Sequence, residues 1–372
     1  MCKLLVKTTG GKLISVYLTG SGSEATEAAM KLSRQFFFEQ DNNTPRVNFI
    51  TRSRSYHGIT ISALSLSEFS GRRKPFENFL LKNVHHISSC YPYRQLKKGE
   101  SNEAFVAAKA AELEAKFLEL GPNTIIGFIA EPVVGAALGC VPCVPGYLKA
   151  MRDVCHKYGA LFILDEVMCG MGRTGTLHAW EQEGVSPDIQ IIGKGLGGGY
   201  QPIAAILISE KIVNGLKLGT GLFVHGQTYE SMPIQAAAAL EVQQIIQNDN
   251  LLYNVRKQGA YLEKRLKQEL SEHPNVGDIR GKGLFWGIEF VKNKNTKEPF
   301  DRKLGISELI SNLAISPEYN ITVYPGSGSV DGFRGDHIII APPFIITRDD
   351  VDIIVYRVST IIRRVFNNTI YV

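Results

Sequence analysis

Lys194 follows an apolar run and stands between glycines, in Ile189-Gln190-Ile191-Ile192-Gly193-Lys194-Gly195. A lysine amine is the side chain that forms imines with carbonyl compounds, and a desolvated setting lowers its pKa toward the reactive free base. The flanking glycines let a bulky group approach the backbone. Asp165 closes a second such run, Leu161-Phe162-Ile163-Leu164-Asp165-Glu166-Val167. A carboxylate at the end of a buried strand has lost its water and needs a partner. A protonated pyridine nitrogen suits it, and the ionised carboxylate in turn keeps that nitrogen protonated. Gly20-Ser21-Gly22-Ser23 joins a strand to the start of a helix. Free backbone N–H groups and the helix dipole make such a junction an anion site fit for a phosphate, with Ser21 and Ser23 as added hydroxyl donors.

Each feature also has a plainer reading. A lysine can snorkel out of a loop, a strand-end aspartate can cap a helix or pair with a cation, and Gly20 to Ser23 can be a serine-capped turn. Gly20-x-Gly22-x-x-Ala25 also fits a dinucleotide fingerprint. That fingerprint expects an acidic residue about 20 positions further on. Here the next strand ends at Thr51-Arg52, an arginine suited to a 2′-phosphate, and the reading leaves Asp165 and Lys194 without a task. A nucleotide P-loop is excluded around Lys194, because the upstream glycine and the following Ser/Thr are missing.

These residues need elements to position them. Leu13 to Thr19, Arg46 to Thr51, Thr124 to Ala130, Ala160 to Leu164, Asp188 to Ile192 and Ile203 to Ile208 read as strands. Glu24 to Glu39, Asn102 to Leu120 and Tyr147 to Tyr158 read as helices; Phe105, Leu113 and Phe117 mark the apolar side of the second. Alternating strands and helices predict an α/β fold with a parallel-rich sheet covered on both faces. Ligands in such sheets sit at the carboxyl ends of strands. The loops there hold Gly20 to Ser23, Arg52 to Gly58, Glu131, Asp165 to Val167 and Lys194. From Leu251 the texture changes to a charged helix (Leu251 to Glu272), strand-like pieces (Gly283 to Phe290 and Ile338 to Ala341) and a closing helix (Asp349 to Phe366). We therefore expect a large domain over 1–250 and a small α+β domain over 251–372, as a chain of 372 residues exceeds what one core usually covers.

Composition limits the function classes. A net charge of +5 is too small on this length to imply nucleic-acid binding, and Arg72-Arg73-Lys74 is too short a basic run to change that. Six scattered cysteines include one C-x-x-C pair, Cys140 and Cys143, with no second pair to make a zinc site. Free thiols in a reducing compartment are the expectation, with redox work as a lesser reading. There is no signal peptide and no run long enough to span a membrane, so a cytoplasmic location is expected, unless a mitochondrial presequence precedes this start.

Several segments share one further property. They are Gly20-Ser21-Gly22-Ser23-Glu24-Ala25-Thr26-Glu27-Ala28-Ala29-Met30-Lys31, Tyr56-His57-Gly58, Glu131-Pro132-Val133, Leu164 to Val167, Gly172-Arg173-Thr174-Gly175, Gly193 to Gly199, His225 to Tyr229 and Ala341-Pro342-Pro343. In order and spacing, from roughly residue 3 to the end, they resemble the class III aminotransferases, which depend on pyridoxal 5′-phosphate (PLP). The resemblance implies a fold-type-I PLP enzyme that moves an amino group from an amine or amino acid to a 2-oxo acid, aldehyde or ketone. It implies that Lys194 binds the cofactor as an imine and shuttles the substrate proton, and that Asp165 pairs with the ring nitrogen. Gly22 and Ser23 are implied to hold the phosphate, Tyr56 and Val167 to cover the two ring faces, and Glu131 to give polar support. Thr228 is implied to reach the phosphate of a neighbouring subunit, which makes the enzyme a homodimer with shared sites. His57 carries no assigned chemistry and is expected to be a hydrogen-bonding structural residue.

The chain departs from the family pattern in two places. Family members usually begin with a longer N-terminal region, whereas Met1 falls just ahead of the first glycine motif. A truncated, non-catalytic paralogue or dimer partner is therefore the alternative reading, beside another PLP reaction (aminomutase or decarboxylase) on the same motifs. Many members also carry a carboxylate-binding arginine shortly before Ala-Pro-Pro, where this chain reads His337-Ile338-Ile339-Ile340. Arg334 is the candidate substitute in the nearby loop, against a plain reading as a solvated residue. Without a fixed arginine, ω-amines, amino alcohols and long-chain donors come into range.

Overall fold

Six apolar runs and one broken run at the edge pair into one sheet, and helices cover both of its faces. A computed structural model describes residues 1–368. Its strands are β1 (Ser15–Thr19), β2 (Asn48–Arg52), β3 (Val84–Ile87), β4 (Ile125–Ala130), β5 (Val133–Val134), β6 (Val141–Pro142), β7 (Leu161–Asp165), β8 (Ile189–Ile192), β9 (Ala204–Ile208), β10 (Val276–Lys282), β11 (Phe285–Phe290), β12 (Tyr324–Gly326) and β13 (Asp336–Ile340). The large sheet runs β1-β9-β8-β7-β4-β2-β3. All neighbours are parallel except β9, which is antiparallel to both β1 and β8. Six strands therefore present their carboxyl ends on one edge, and β9 presents its amino end there.

Burial on both faces explains why these strands read as continuous apolar runs rather than as alternating ones. In β7, Leu161 and Ile163 face a core shared with Ala25, Ala28 and Ala29 of the helix Gly22–Phe38. Phe162 and Leu164 face the opposite core, shared with Phe105, Leu113 and Phe117 of the helix Asn102–Leu120 and with Met151 of the helix Tyr147–Lys157. All four β7 residues are fully buried, and truncating any of them to alanine costs about 2–5 kcal/mol.

The second sheet is antiparallel, in the order β10-β11-β13-β12. Its core is built only from residues 255–366, with Val255, Leu262 and Leu266 of the helix Leu251–Leu270 and Val351, Val355 and Val358 of the helix Arg348–Asn368. The two sheets meet at Glu289 of β11, which is fully buried. Its carboxylate takes Arg94 and Arg280 at 2.6 Å each, together with the Tyr91 hydroxyl. Arg280 also donates to the carbonyl of Gly139 at 2.9 Å. Removing one member of such a buried ion cluster leaves an unpaired charge, which costs about 3–5 kcal/mol.

Among the described residues no helix is long and apolar enough to cross a membrane. No cluster of three or more His, Cys, Asp or Glu among them could hold a metal ion.

Candidate active site

The shared carboxyl edge opens into a cavity of about 730 Å³. Gly20 to Ser23 follow β1, Tyr56 to Gly58 follow β2, Glu131 follows β4, Asp165 ends β7 and Lys194 follows β8, and all of them line it. Pro343, Phe344 and Ile345, which follow β13, line it from the second sheet.

Asp165 is 3% exposed. Its Oδ2 lies 2.7 Å from His57 Nδ1, and its Oδ1 accepts the Val167 N–H at 3.0 Å. Thr51 Oγ1 lies 3.2 Å from His57 Nε2. The His57 backbone is tied as well: its N–H donates to Ser67 Oγ at 2.8 Å and its carbonyl accepts from Thr26 Oγ1 at 2.9 Å. With Nδ1–H donated to Asp165 and Nε2 accepting from Thr51, one tautomer satisfies the whole chain of bonds. The ring is thus a brace that fixes the carboxylate's direction. His57 is the hydrogen-bonding structural residue expected from the sequence, and its partner is the Asp165 carboxylate.

Lys194 has φ +38°, a left-handed backbone rarely adopted outside glycine. Its amine makes no hydrogen bond with a described residue. Desolvation lowers its pKa below the ordinary lysine value, against the opposing pull of Asp165 and Glu131. Glu131 is 3% exposed, and its two oxygens accept the N–H groups of Tyr56 and Gly135, both at 3.1 Å. Burial pushes its pKa up; His57 opposes the shift and Asp165 adds to it. Tyr56 lies edge-on to Phe69, with ring centroids 6.4 Å apart.

The phosphate-type junction has tight local geometry. Ser21 caps the helix Gly22–Phe38 by accepting the Glu24 N–H at 3.3 Å. The N–H groups of Gly22 and Ser23 have no partner among the described residues, as expected of a helix's first turn. A Cβ on Gly22 would lie 3.0 Å from a Val167 methyl, and one on Gly193 would lie 3.3 Å from the same methyl. Two glycines therefore let Val167 settle on the cavity floor. Ser23 Oγ accepts the Ile59 N–H at 3.0 Å, which ties this helix start to the Tyr56-His57-Gly58 loop.

Two of the residues singled out in the sequence lie elsewhere. Thr228 is exposed and does not line the cavity of its own chain. Arg334 does not line the cavity either; its Nε pairs with Asp331 at 2.7 Å, on a side chain that is 56% exposed. The aspartate three positions earlier holds it in the loop, so the structure does not bring it to the site.

The comparisons with known proteins bear on this arrangement directly. Residues 1–362 match the family described as Aminotransferase class-III. The chain belongs to the class III aminotransferases. An aminotransferase of Gibberella zeae is 50% identical over 95% of this chain and 70% of its own length. One of Schizosaccharomyces pombe is 45% identical over 96% of this chain and 78% of its own. Among solved structures, an amine transaminase from an uncultivated Pseudomonas species, in its PLP-bound form, superposes with a TM-score of 0.90 at 30% identity, covering 98% of this chain and 80% of that one.

This aminotransferase has one cavity-lining group whose role the sequence did not suggest. Arg173 lies in the Gly172-Arg173-Thr174-Gly175 segment and donates through Nη1 to the carbonyls of Leu284 at 3.0 Å and Pro342 at 2.6 Å. Its guanidinium lies 4.6 Å from the Phe344 ring centroid. No carboxylate pairs with it among the described residues, and burial lowers its pKa to about 10. It is a desolvated cation on the cavity wall, and its Nε and Nη2 make no hydrogen bond with a described residue. The motif was visible in the sequence, but nothing local showed that its arginine lacks a counter-ion. Around it the aminotransferase cavity is apolar, with Ile203, Val242, Ile245, Ile246 and Leu251 on the wall.

Proposed function

We propose that this aminotransferase works with PLP seated in the cavity and held by Lys194, Asp165, Gly22 and Ser23. We further propose that it transfers amino groups from amines with extended apolar bodies to a 2-oxo acid. The observation that carries the reading is a convergence: a desolvated amine, a braced buried carboxylate and the two free N–H groups of a helix's first turn line one cavity. These residues fit the group. Asp165 has one oxygen fixed by His57 and the other by a single N–H, which leaves acceptor capacity for a pyridinium N–H. The free N–H groups of Gly22 and Ser23 suit its phosphate, and the Val167 side chain, which lines the cavity against Gly22, suits a ring face.

Bound there, PLP supplies an electron sink for negative charge developing at the substrate carbon. The protein supplies everything else. Asp165 keeps the ring nitrogen protonated and His57 holds Asp165 in place. The Lys194 amine takes the proton from the substrate carbon and returns it. Tyr56 and Val167 bound the two ring faces, and Glu131 fixes Tyr56 through its backbone N–H. Arg173 receives the carboxylate of the oxo acid, and the apolar wall receives the body of the amine. We assign Thr228 to the phosphate site of a second copy. In support, it is exposed on a segment that also exposes Leu218, Leu222, Val224 and Tyr229, an apolar surface typical of an interface.

The test is an absorbance titration with PLP beside a Lys194→Ala variant. The native chain is expected to develop a visible band that borohydride converts into a covalent adduct on Lys194; the variant is expected to show neither. Because the pKa of Lys194 is lowered, the free amine is available at lower pH than in an ordinary lysine. The rate of cofactor capture is therefore expected to rise with pH and reach half its maximum below the ordinary lysine value. A native chain without a band, or a variant that captures PLP covalently at another lysine, overturns the assignment.

A further inference from the structure

Arg52 ends β2 and is fully buried, with no carboxylate partner among the described residues. Its Nη1 donates to Cys143 Sγ at 3.2 Å and its Nη2 to the Glu131 carbonyl, while its Nε has no partner. The Tyr147 ring lies 5.6 Å from the guanidinium carbon. A buried cation needs an anion, and the ionisable groups around this one are Cys143, Cys90 and Tyr147. The Cys90 thiol lies beside the Cys143 sulfur in the same buried cluster. Protonated, Cys143 can donate to the Glu131 carbonyl at 3.6 Å; ionised, it becomes the missing counter-charge.

Burial raises the Cys143 thiol, but the neighbouring Cys90 thiol and the charge of Arg52 outweigh it and bring the group down to about 7. Cys90 is pushed up instead, by the Cys143 sulfur beside it and by burial. Access is uneven in the same sense. Cys143 is 7% exposed, against 0–1% for Cys90, Cys140, Cys155 and Cys169. It lines a cleft of about 10 Å³ beside Pro132, Leu148, Glu183 and Lys282, room for about one water-sized molecule. Cys140, its neighbour in the C-x-x-C segment, packs into a different cluster with Cys169 and Phe285.

We propose that Cys143 and Cys90 form a redox-responsive thiol pair, in which Arg52 activates the Cys143 sulfur toward small peroxides and Cys90 resolves the product as a disulfide. The Cys143 thiolate attacks hydrogen peroxide; an S–O bond forms, the O–O bond breaks, and hydroxide leaves to become water with a solvent proton. The Cys90 sulfur then attacks the Cys143 sulfenic acid; the S–S bond forms, the S–O bond breaks, and the departing hydroxide takes the Cys90 proton. The two thiols are oxidised and one peroxide is reduced to two waters. Closure removes the counter-charge of Arg52, whose other arm carries the Glu131 carbonyl at the cavity edge.

The experiment is stepwise hydrogen peroxide treatment of the reduced holoenzyme, followed by thiol alkylation, digestion and mass spectrometry. The expected product is a peptide pair joined through Cys90 and Cys143, lighter by two hydrogens. It should appear at lower peroxide doses than oxidation of Cys140, Cys155 or Cys169, and dithiothreitol should reverse it. In Cys90→Ser the Cys143 sulfur is expected to stop at a sulfenic acid that a dimedone probe captures, a readout independent of how Cys143 variants fold. Full alkylation of Cys143 after the exposed Cys2 has been oxidised would overturn the proposal, as would a disulfide that joins Cys143 to Cys140 instead.

Discussion

The role proposed for Asp165 at a ring nitrogen needs a carboxylate aimed in one direction, and a single histidine does the aiming. His57 contributes one charge-assisted hydrogen bond to Asp165 and is itself locked by Thr51, Ser67 and Thr26. Such a bond is worth about 1.5–3 kcal/mol. His57→Asn is therefore expected to lower kcat by roughly 10-fold or more while the Lys194–PLP band still forms; an unchanged kcat would make the brace merely structural. Arg173 makes a different claim. Lysine in its place keeps the charge but loses the fork. Arg173→Lys is expected to raise KM for the oxo acid by about 10-fold or more, with KM for the amine donor unchanged. If both rise together, the arginine serves packing against Phe344 and not the acceptor. The placement of Lys194 and Asp165 at strand ends on one cavity was legible in the sequence, because each ends an apolar run beside glycines or a polar turn. The contacts His57–Asp165 and Cys90–Cys143 were not. They span 108 and 53 positions and depend on which strands become neighbours, which no local pattern records.

Strand ends and helix starts were the most readable elements, since turn glycines and apolar runs are local signals. The helix expected over Glu24 to Glu39 forms as Gly22–Phe38, and the strand expected over Ala160 to Leu164 forms as Leu161–Asp165. The strand β3 was not anticipated: its His85 and His86 are only partly buried at the sheet edge, so the apolar run is broken. The reversal of β9 was not anticipated either, because an apolar run carries no direction. At this scale the Tyr56-His57-Gly58 loop and the helix N-terminus act as one unit. Gly58 has φ +133°, and a Cβ there would fall 2.6 Å from Ser23 Oγ and 2.9 Å from Ser23 Cα. Gly58→Ala is expected to cost roughly 1–3 kcal/mol of stability and to weaken PLP binding, because Ser23 must move. Gly99→Ala is the control: φ is +83° but nothing lies within 4 Å, so strain is the only cost and PLP affinity should hold. Thermal unfolding and PLP titration of the two variants separate the outcomes. Equal PLP affinity in both would detach the loop from the phosphate site.

For the molecule as a whole, the placement of Thr228 decides whether one chain suffices. It is exposed on its own chain, outside the cavity that holds every other residue proposed to touch the cofactor. The segment around it exposes Leu218, Leu222, Val224 and Tyr229 at 63–73%. A monomer rarely leaves such a patch bare, and a two-fold dimer would cover the same patch on both copies. Complementation tests this more sharply than a size measurement. Co-expressed Lys194→Ala and Thr228→Arg chains each lack a full site alone. If Thr228 acts across the interface, a mixed dimer contains one doubly damaged site and one intact site, the latter built from the lysine of one chain and the threonine of the other. With random pairing, about one quarter of native activity should return. If Thr228 acts within its own chain, both sites of the mixed dimer carry one lesion and activity stays at the level of the parents. Recovery would therefore establish a shared site as well as a dimer. Its failure, in a preparation shown to contain mixed dimers, would remove Thr228 from the partner's phosphate and leave the exposed segment as an interface without chemistry.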